Sequence, residues 1–110
     1  MLTDEYRYKI LKELQQDPDL SQRELAKRLG ISLGKANFCL KALIEKGLIK
    51  ADNFKNNANK AAYLYLLTPR GIEEKVLLTQ RFLQRKLIQY EALEKEIELL
   101  RKESKITEYK

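Results

Sequence analysis

The side chains of this chain that could do chemistry are few in kind. Its 110 residues include no histidine and one cysteine, Cys39. Cys/His metal sites, Ser-His-Asp catalysis and histidine acid–base chemistry are therefore excluded, and no cofactor or enzymatic activity is expected. Cation and amide chemistry remain, and both concentrate in SLGKANFCLKAL, residues 32–43. With Ala36 set toward a core and about 100° allowed per residue, Gly34, Phe38, Lys41 and Glu45 fall on the opposite side of a helix. Asn37 flanks them on one edge and Lys35 on the other. A solvated face usually carries Glu and Lys, and a buried one carries Leu and Ile. This mixture suits the edge of a nucleic-acid duplex better than either. Gly34 admits a close backbone, and Lys35 and Lys41 can pair with phosphates. Asn37 can contact adenine through two hydrogen bonds, and an exposed Phe38 can pack on thymine methyls. Phe38 has a second reading, as a core residue folded under a hairpin.

Charge points the same way. Lys and Arg number 22 against 16 Asp and Glu, a net +6. Residues 20–60 hold nine cations and three acids, so the whole excess lies in that segment. A polyanionic partner, double-stranded DNA, is the natural fit.

The elements that must position these side chains can be read locally. Thr3 caps a first helix with Asp4 and Glu5 at its positive end, and Tyr6, Ile10, Leu11 and Leu14 recur at helical spacing before Asp17-Pro18-Asp19 closes it. Ser21 with Glu24 is a capping box that opens a short helix through Leu25, Ala26 and Leu29. Gly30 ends it and Ser32 caps the next, the spacing of a helix-turn-helix. Gln22 and Arg23, at the start of the preceding helix, can hold a phosphate there. The third helix has a core stripe of Ala36, Leu40, Leu43 and Ile44, with Leu33 at the edge, and stops at Gly47. Cys39 lies on its core-side flank as an inert thiol; a redox role would lack a resolving cysteine. LIKADNF and AAYLYLL are strand-like runs around KNNANK, a β-hairpin whose tip carries Lys55, Asn57 and Lys60.

Thr68-Pro69 starts a last helix that nothing breaks until about Glu103, some 50 Å at roughly 1.5 Å per residue. Val76, Leu83, Leu87, Tyr90, Leu93, Ile97 and Leu100 step along it by three, four or seven residues. The last two heptads are clean, with Tyr90 and Ile97 at a and Leu93 and Leu100 at d; in a parallel pair Glu96 would face Arg101 of the second copy. The expected fold is mainly α with a small β-hairpin: a winged helix-turn-helix over residues 1–67, then a long amphipathic dimerisation helix over 68–110. No secretory leader and no apolar run of bilayer length is evident, and the lone cysteine suits a reducing compartment. A cytoplasmic homodimer that does not enter the membrane is expected. The alternative is a winged-helix protein-interaction module whose C-terminal helix binds another protein.

The segments SQRELAKRLGIS, KANFCLKALIEKGLIK and YLYLLTPRGIEEK resemble the MarR-type winged-helix transcriptional regulators. LTDEYRYKILKEL, SLGKANFCLKALIEKGLIK, the FKN of the wing and the Glu/Leu/Arg-rich terminal helix are similar to a narrower group, the short MarR-family regulators associated with exopolysaccharide (EPS) genes. The resemblance implies a cytoplasmic, homodimeric regulator bound to duplex DNA. It implies groove contacts from Ser32, Gly34, Lys35, Asn37, Phe38 and Lys41, and wing contacts from Lys55 and Lys60.

Overall fold

A computed structural model describes residues 2–53 and 63–104. The wing-tip residues Lys55, Asn57 and Lys60 lie outside the described residues. The chain divides into two compact units, Met1–Leu78 and Thr79–Lys110.

The first unit begins with α1 (Asp4–Gln16). Thr3 Oγ1 accepts the Tyr6 N–H at 3.2 Å, and the helix buries Ile10, Leu11 and Leu14 on one stripe. In α2 (Gln22–Leu29), Ser21 Oγ accepts the Glu24 N–H at 3.0 Å. The Glu24 carboxylate turns forward to Arg28, 3.8 Å away. Gly30 then takes φ +68°, where a side chain would be strained, and Ile31 N–H reaches back to the Ala26 carbonyl at 3.0 Å. Ser32 immediately caps α3 (Leu33–Glu45) by accepting the Lys35 N–H at 3.0 Å. The same type of stop closes α3: Leu48 N–H bonds the Leu43 carbonyl at 3.0 Å, with Gly47 at φ +76°.

The buried arc of α3 comprises Ala36, Cys39, Leu40 and Leu43. Ile44, expected on its stripe, is 39% exposed, and Leu33, expected at its edge, is 40% exposed. The arc leans toward Cys39, so Ile44, about 40° beyond Leu40 around the helix, stands on its rim. Strands β1 (Ile49–Asn53) and β2 (Tyr63–Leu67) pair antiparallel, from Ile49 opposite Leu67 to Asn53 opposite Tyr63. Ile49 and Tyr65 turn into the core. Tyr65 N–H also bonds the Pro18 carbonyl at 3.0 Å, which ties the hairpin to the loop between α1 and α2. That long-range link has no local sequence signal.

Helix α4 runs unbroken from Pro69 to Ser104. Thr68 Oγ1 accepts the Gly71 N–H at 3.1 Å and donates to the Gly47 carbonyl at 2.5 Å, joining the new helix start to the old helix stop. A Cβ on Gly71 would lie 2.0 Å from the Leu48 carbonyl oxygen, so only glycine fits this approach. Arg7 Nε stands 3.5 Å from Glu74 Oε2. The first turns of α4, down to the buried Leu78, thus belong to the first unit, beyond the boundary at residue 67 suggested by the strand's end.

The described part of the second unit is the remainder of the helix, through Ser104. Among its described residues through Ser104, every side chain is exposed except Phe82, which is half-buried with Arg85 stacked on its ring at 5.0 Å. Among the described residues, no helix is long and apolar enough to cross a membrane.

Candidate nucleic-acid interface

The capped turn Gly30-Ile31-Ser32 fixes α2 and α3 so that one face of α3 is packed and the other is open. Ala36, Cys39, Leu40 and Leu43 are at most 1% exposed. On the far side Gly34, Phe38 and Lys41 are exposed and Asn37 is half-buried. Phe38 is 55% exposed, so of its two readings the core one is set aside. Gly34 has nothing within 4 Å of a Cβ position, leaving the α3 backbone open to approach there.

The polar side chains are not equally free. Ser32 Oγ is engaged as the α3 cap. Lys35 lies back over α1, with its Nζ 4.5 Å from the Tyr6 ring centroid and 3.5 Å from the Tyr6 hydroxyl. It is half-buried, whereas Lys41 is exposed. Gln22, expected at a phosphate, instead donates through Nε2 to Asn37 Oδ1 at 3.3 Å and to the Tyr65 hydroxyl at 3.0 Å. Arg23 beside it is exposed. Arg28 is held by Glu13 at 2.9 Å and Asp17 at 3.2 Å, so one cation of the basic segment is already neutralised within the fold. Lys27, Lys46 and Lys50 are exposed. The structure therefore brings Gln22, Asn37, Phe38 and Lys41 together on and beside one helix face.

Tyr6 and Tyr65 are the participants that sequence patterns miss. Tyr6 falls on the helical stripe of α1 and Tyr65 in a strand-like run, and each reaches the face through a contact 29 or 43 positions away in the chain. Cys39 is fully buried; burial pushes its thiol above the ordinary range, a trend only partly opposed by the Lys35 charge. Among the described residues no group of His, Cys, Asp and Glu could hold a metal ion.

A helix-turn-helix followed by a two-stranded wing and a further helix defines the winged-helix fold. Residues 3–50 match the family described as "Winged helix-turn-helix DNA-binding". Several solved structures share the arrangement. The PcaV transcriptional regulator from Streptomyces coelicolor, solved with its natural ligand, superposes with a TM-score of 0.67 at 19% identity, over 92% of this chain and 74% of that one. FabT from Streptococcus pneumoniae, in complex with DNA, gives 0.62 at 21% identity over 90% and 68%. Apo MarR from E. coli gives 0.63 at 24% identity over 87% and 74%. At these identities the likeness establishes the fold. Comparison with curated protein sequences gives no match.

Proposed function

We propose that this chain is a sequence-reading, duplex-DNA-binding transcriptional regulator that works as a homodimer in the cytoplasm. The observation that carries the reading is the open face of α3. It presents Gly34, Asn37, Phe38 and Lys41 on the second helix of a helix-turn-helix, inside the segment that holds the whole charge excess. Helices in this position enter the major groove by their N-terminal half. Lys41 and Arg23 supply phosphate contacts, and Asn37 supplies the base contact. Lys55, Asn57 and Lys60 would extend the grip from the wing. The match of residues 3–50 and the likeness to a regulator solved on DNA support this reading.

Homodimerisation is supported by the second unit. Leu83, Leu87, Tyr90, Leu93, Ile97 and Leu100 are 40–59% exposed along one helix, an apolar content that a second copy would cover. Val76, 50% exposed, begins the series. Two copies then address two half-sites, and operator symmetry follows protein symmetry. The sequence resemblance to EPS-associated regulators extends the proposal to control of exopolysaccharide genes.

Selection of bound fragments from a random duplex pool, followed by anisotropy titrations at several salt concentrations, tests the reading. Asn37→Ala should cost on the order of 1–3 kcal/mol on the selected site and relax preference at one base pair. Lys41→Ala should weaken all duplexes about equally and lower the salt slope by about 1. A chain that binds every duplex weakly, with no response to either substitution, would instead be a protein-interaction module.

A further inference from the structure

Gln22, Asn37 and Tyr65 come from α2, α3 and β2 and form one hydrogen-bonded chain. A primary amide nitrogen carries two hydrogens. Gln22 Nε2 commits both, one to Asn37 Oδ1 at 3.3 Å and one to the Tyr65 hydroxyl at 3.0 Å. The Tyr65 end is firmly held, because the residue is only 6% exposed and its backbone N–H bonds the Pro18 carbonyl. In this arrangement the Tyr65 hydroxyl serves as the acceptor, and each amide takes one polarity. Asn37 has its oxygen drawn toward Gln22, and its Nδ2 has no hydrogen-bond partner among the described residues.

We infer that Tyr65 and Gln22 set the polarity of Asn37, so that its amide reads guanine and not adenine. The inference rests on the DNA-binding reading above and refines it, since the residue type alone suggests adenine. Pairing with adenine requires Oδ1 to accept from N6 while Nδ2 donates to N7. An Asn37 whose oxygen is held by Gln22 shows donors to the groove. Guanine is the base whose major-groove edge offers two acceptors, N7 and O6. Gln22 is thus a positioning residue acting through Asn37, and Tyr65 holds Gln22.

The test reverses the polarity. Gln22→Glu replaces the donor by acceptor oxygens only, so Asn37 must turn Nδ2 inward and show Oδ1 to the groove. Gln22→Leu keeps the bulk and removes the tether. Full-length wild type is first used to select sites from a random duplex pool, and the base pair that loses discrimination in Asn37→Ala is identified. The four base pairs at that position are then competed against each other for each variant. Relative preference is the readout, because the new carboxylate lowers affinity for every duplex. Wild type should prefer guanine there by roughly tenfold. Gln22→Glu should move the preference to a base that donates, adenine or cytosine, and Gln22→Leu should flatten it. An adenine preference in wild type, or an unchanged order in Gln22→Glu, overturns the inference while leaving DNA binding intact. Failure of wild type to enrich any sequence overturns the DNA-binding reading itself, and the inference with it.

Discussion

Leucine and isoleucine recur at three- and four-residue spacing in both units, yet the two units treat them oppositely. In the first, Leu11, Leu40 and Leu43 are at most 1% exposed; in the second, Leu83, Leu93 and Leu100 are 53–57% exposed. The spacing produces a helix in either case. Burial needs a second surface, which the first unit builds from α1, α2, α3 and the hairpin, and which the described part of the second unit, a single helix, does not contain. Apolar side chains in the first unit are therefore part of its own stability. Those in the second, among its described residues, add such stability only where another surface covers them.

The largest expected difference tests this contrast directly. Leu43→Ala should lower the unfolding free energy by about 3 kcal/mol, the lost transfer energy plus a cavity. Leu93→Ala should leave unfolding of the first unit within about 0.5 kcal/mol in dilute solution, while weakening self-association. Urea titration and sedimentation measure the two effects separately. Equal costs for both substitutions in dilute protein would mean that the second unit buries its own side chains.

Next come two glycines in the same unit. Gly71→Ala forces a Cβ against the Leu48 carbonyl at 2.0 Å and should cost about 1–3 kcal/mol, more than the gain in helix propensity. Gly34→Ala meets nothing within 4 Å and should stabilise by up to about 1 kcal/mol. Thermal unfolding with the opposite ordering would place the tight approach elsewhere. Smaller again is Thr68→Val, which removes both the acceptor for Gly71 N–H and the donor to the Gly47 carbonyl. A loss of about 1 kcal/mol is expected by chemical denaturation.

These effects also explain what could be read locally and what could not. Caps at Thr3, Ser21 and Ser32 and stops at Gly30 and Gly47 depend on neighbours within five residues, and the structure has them where the residues ask for them. The basic, amide and aromatic face of α3 follows from helical geometry and was equally legible. The bond from Tyr65 to Pro18, the fit of Gly71 on Leu48 and the Tyr65–Gln22–Asn37 chain were not. Each joins segments whose separation is set only by tertiary packing, so no periodicity encodes it. Asn37 illustrates the consequence. Its residue type suggests a two-sided amide, and its neighbours commit one side.

The single cysteine offers the finest probe of the contrast between units. Cys39 is fully buried on α3, and burial raises its pKa above that of a solvated thiol. The thiolate is the reactive species, so at neutral pH native Cys39 is both inaccessible and more fully protonated than an exposed thiol. Its reaction with a disulfide reagent must wait for local opening, and should be slower than in denaturant by on the order of a hundredfold or more. A Leu99→Cys substitution in a Cys39→Ala background places the same group in the second unit, at a position 58% exposed. That thiol should react at nearly the denatured-chain rate when the protein is dilute. As pH rises, its rate should climb through the ordinary thiol range while Cys39 lags, because the raised pKa delays thiolate formation. Stopped-flow measurement across pH gives both curves. Fast native labelling of Cys39 would mean that the first unit opens readily at α3. Slow labelling at position 99 at every dilution would instead mean that the second unit is covered within its own chain.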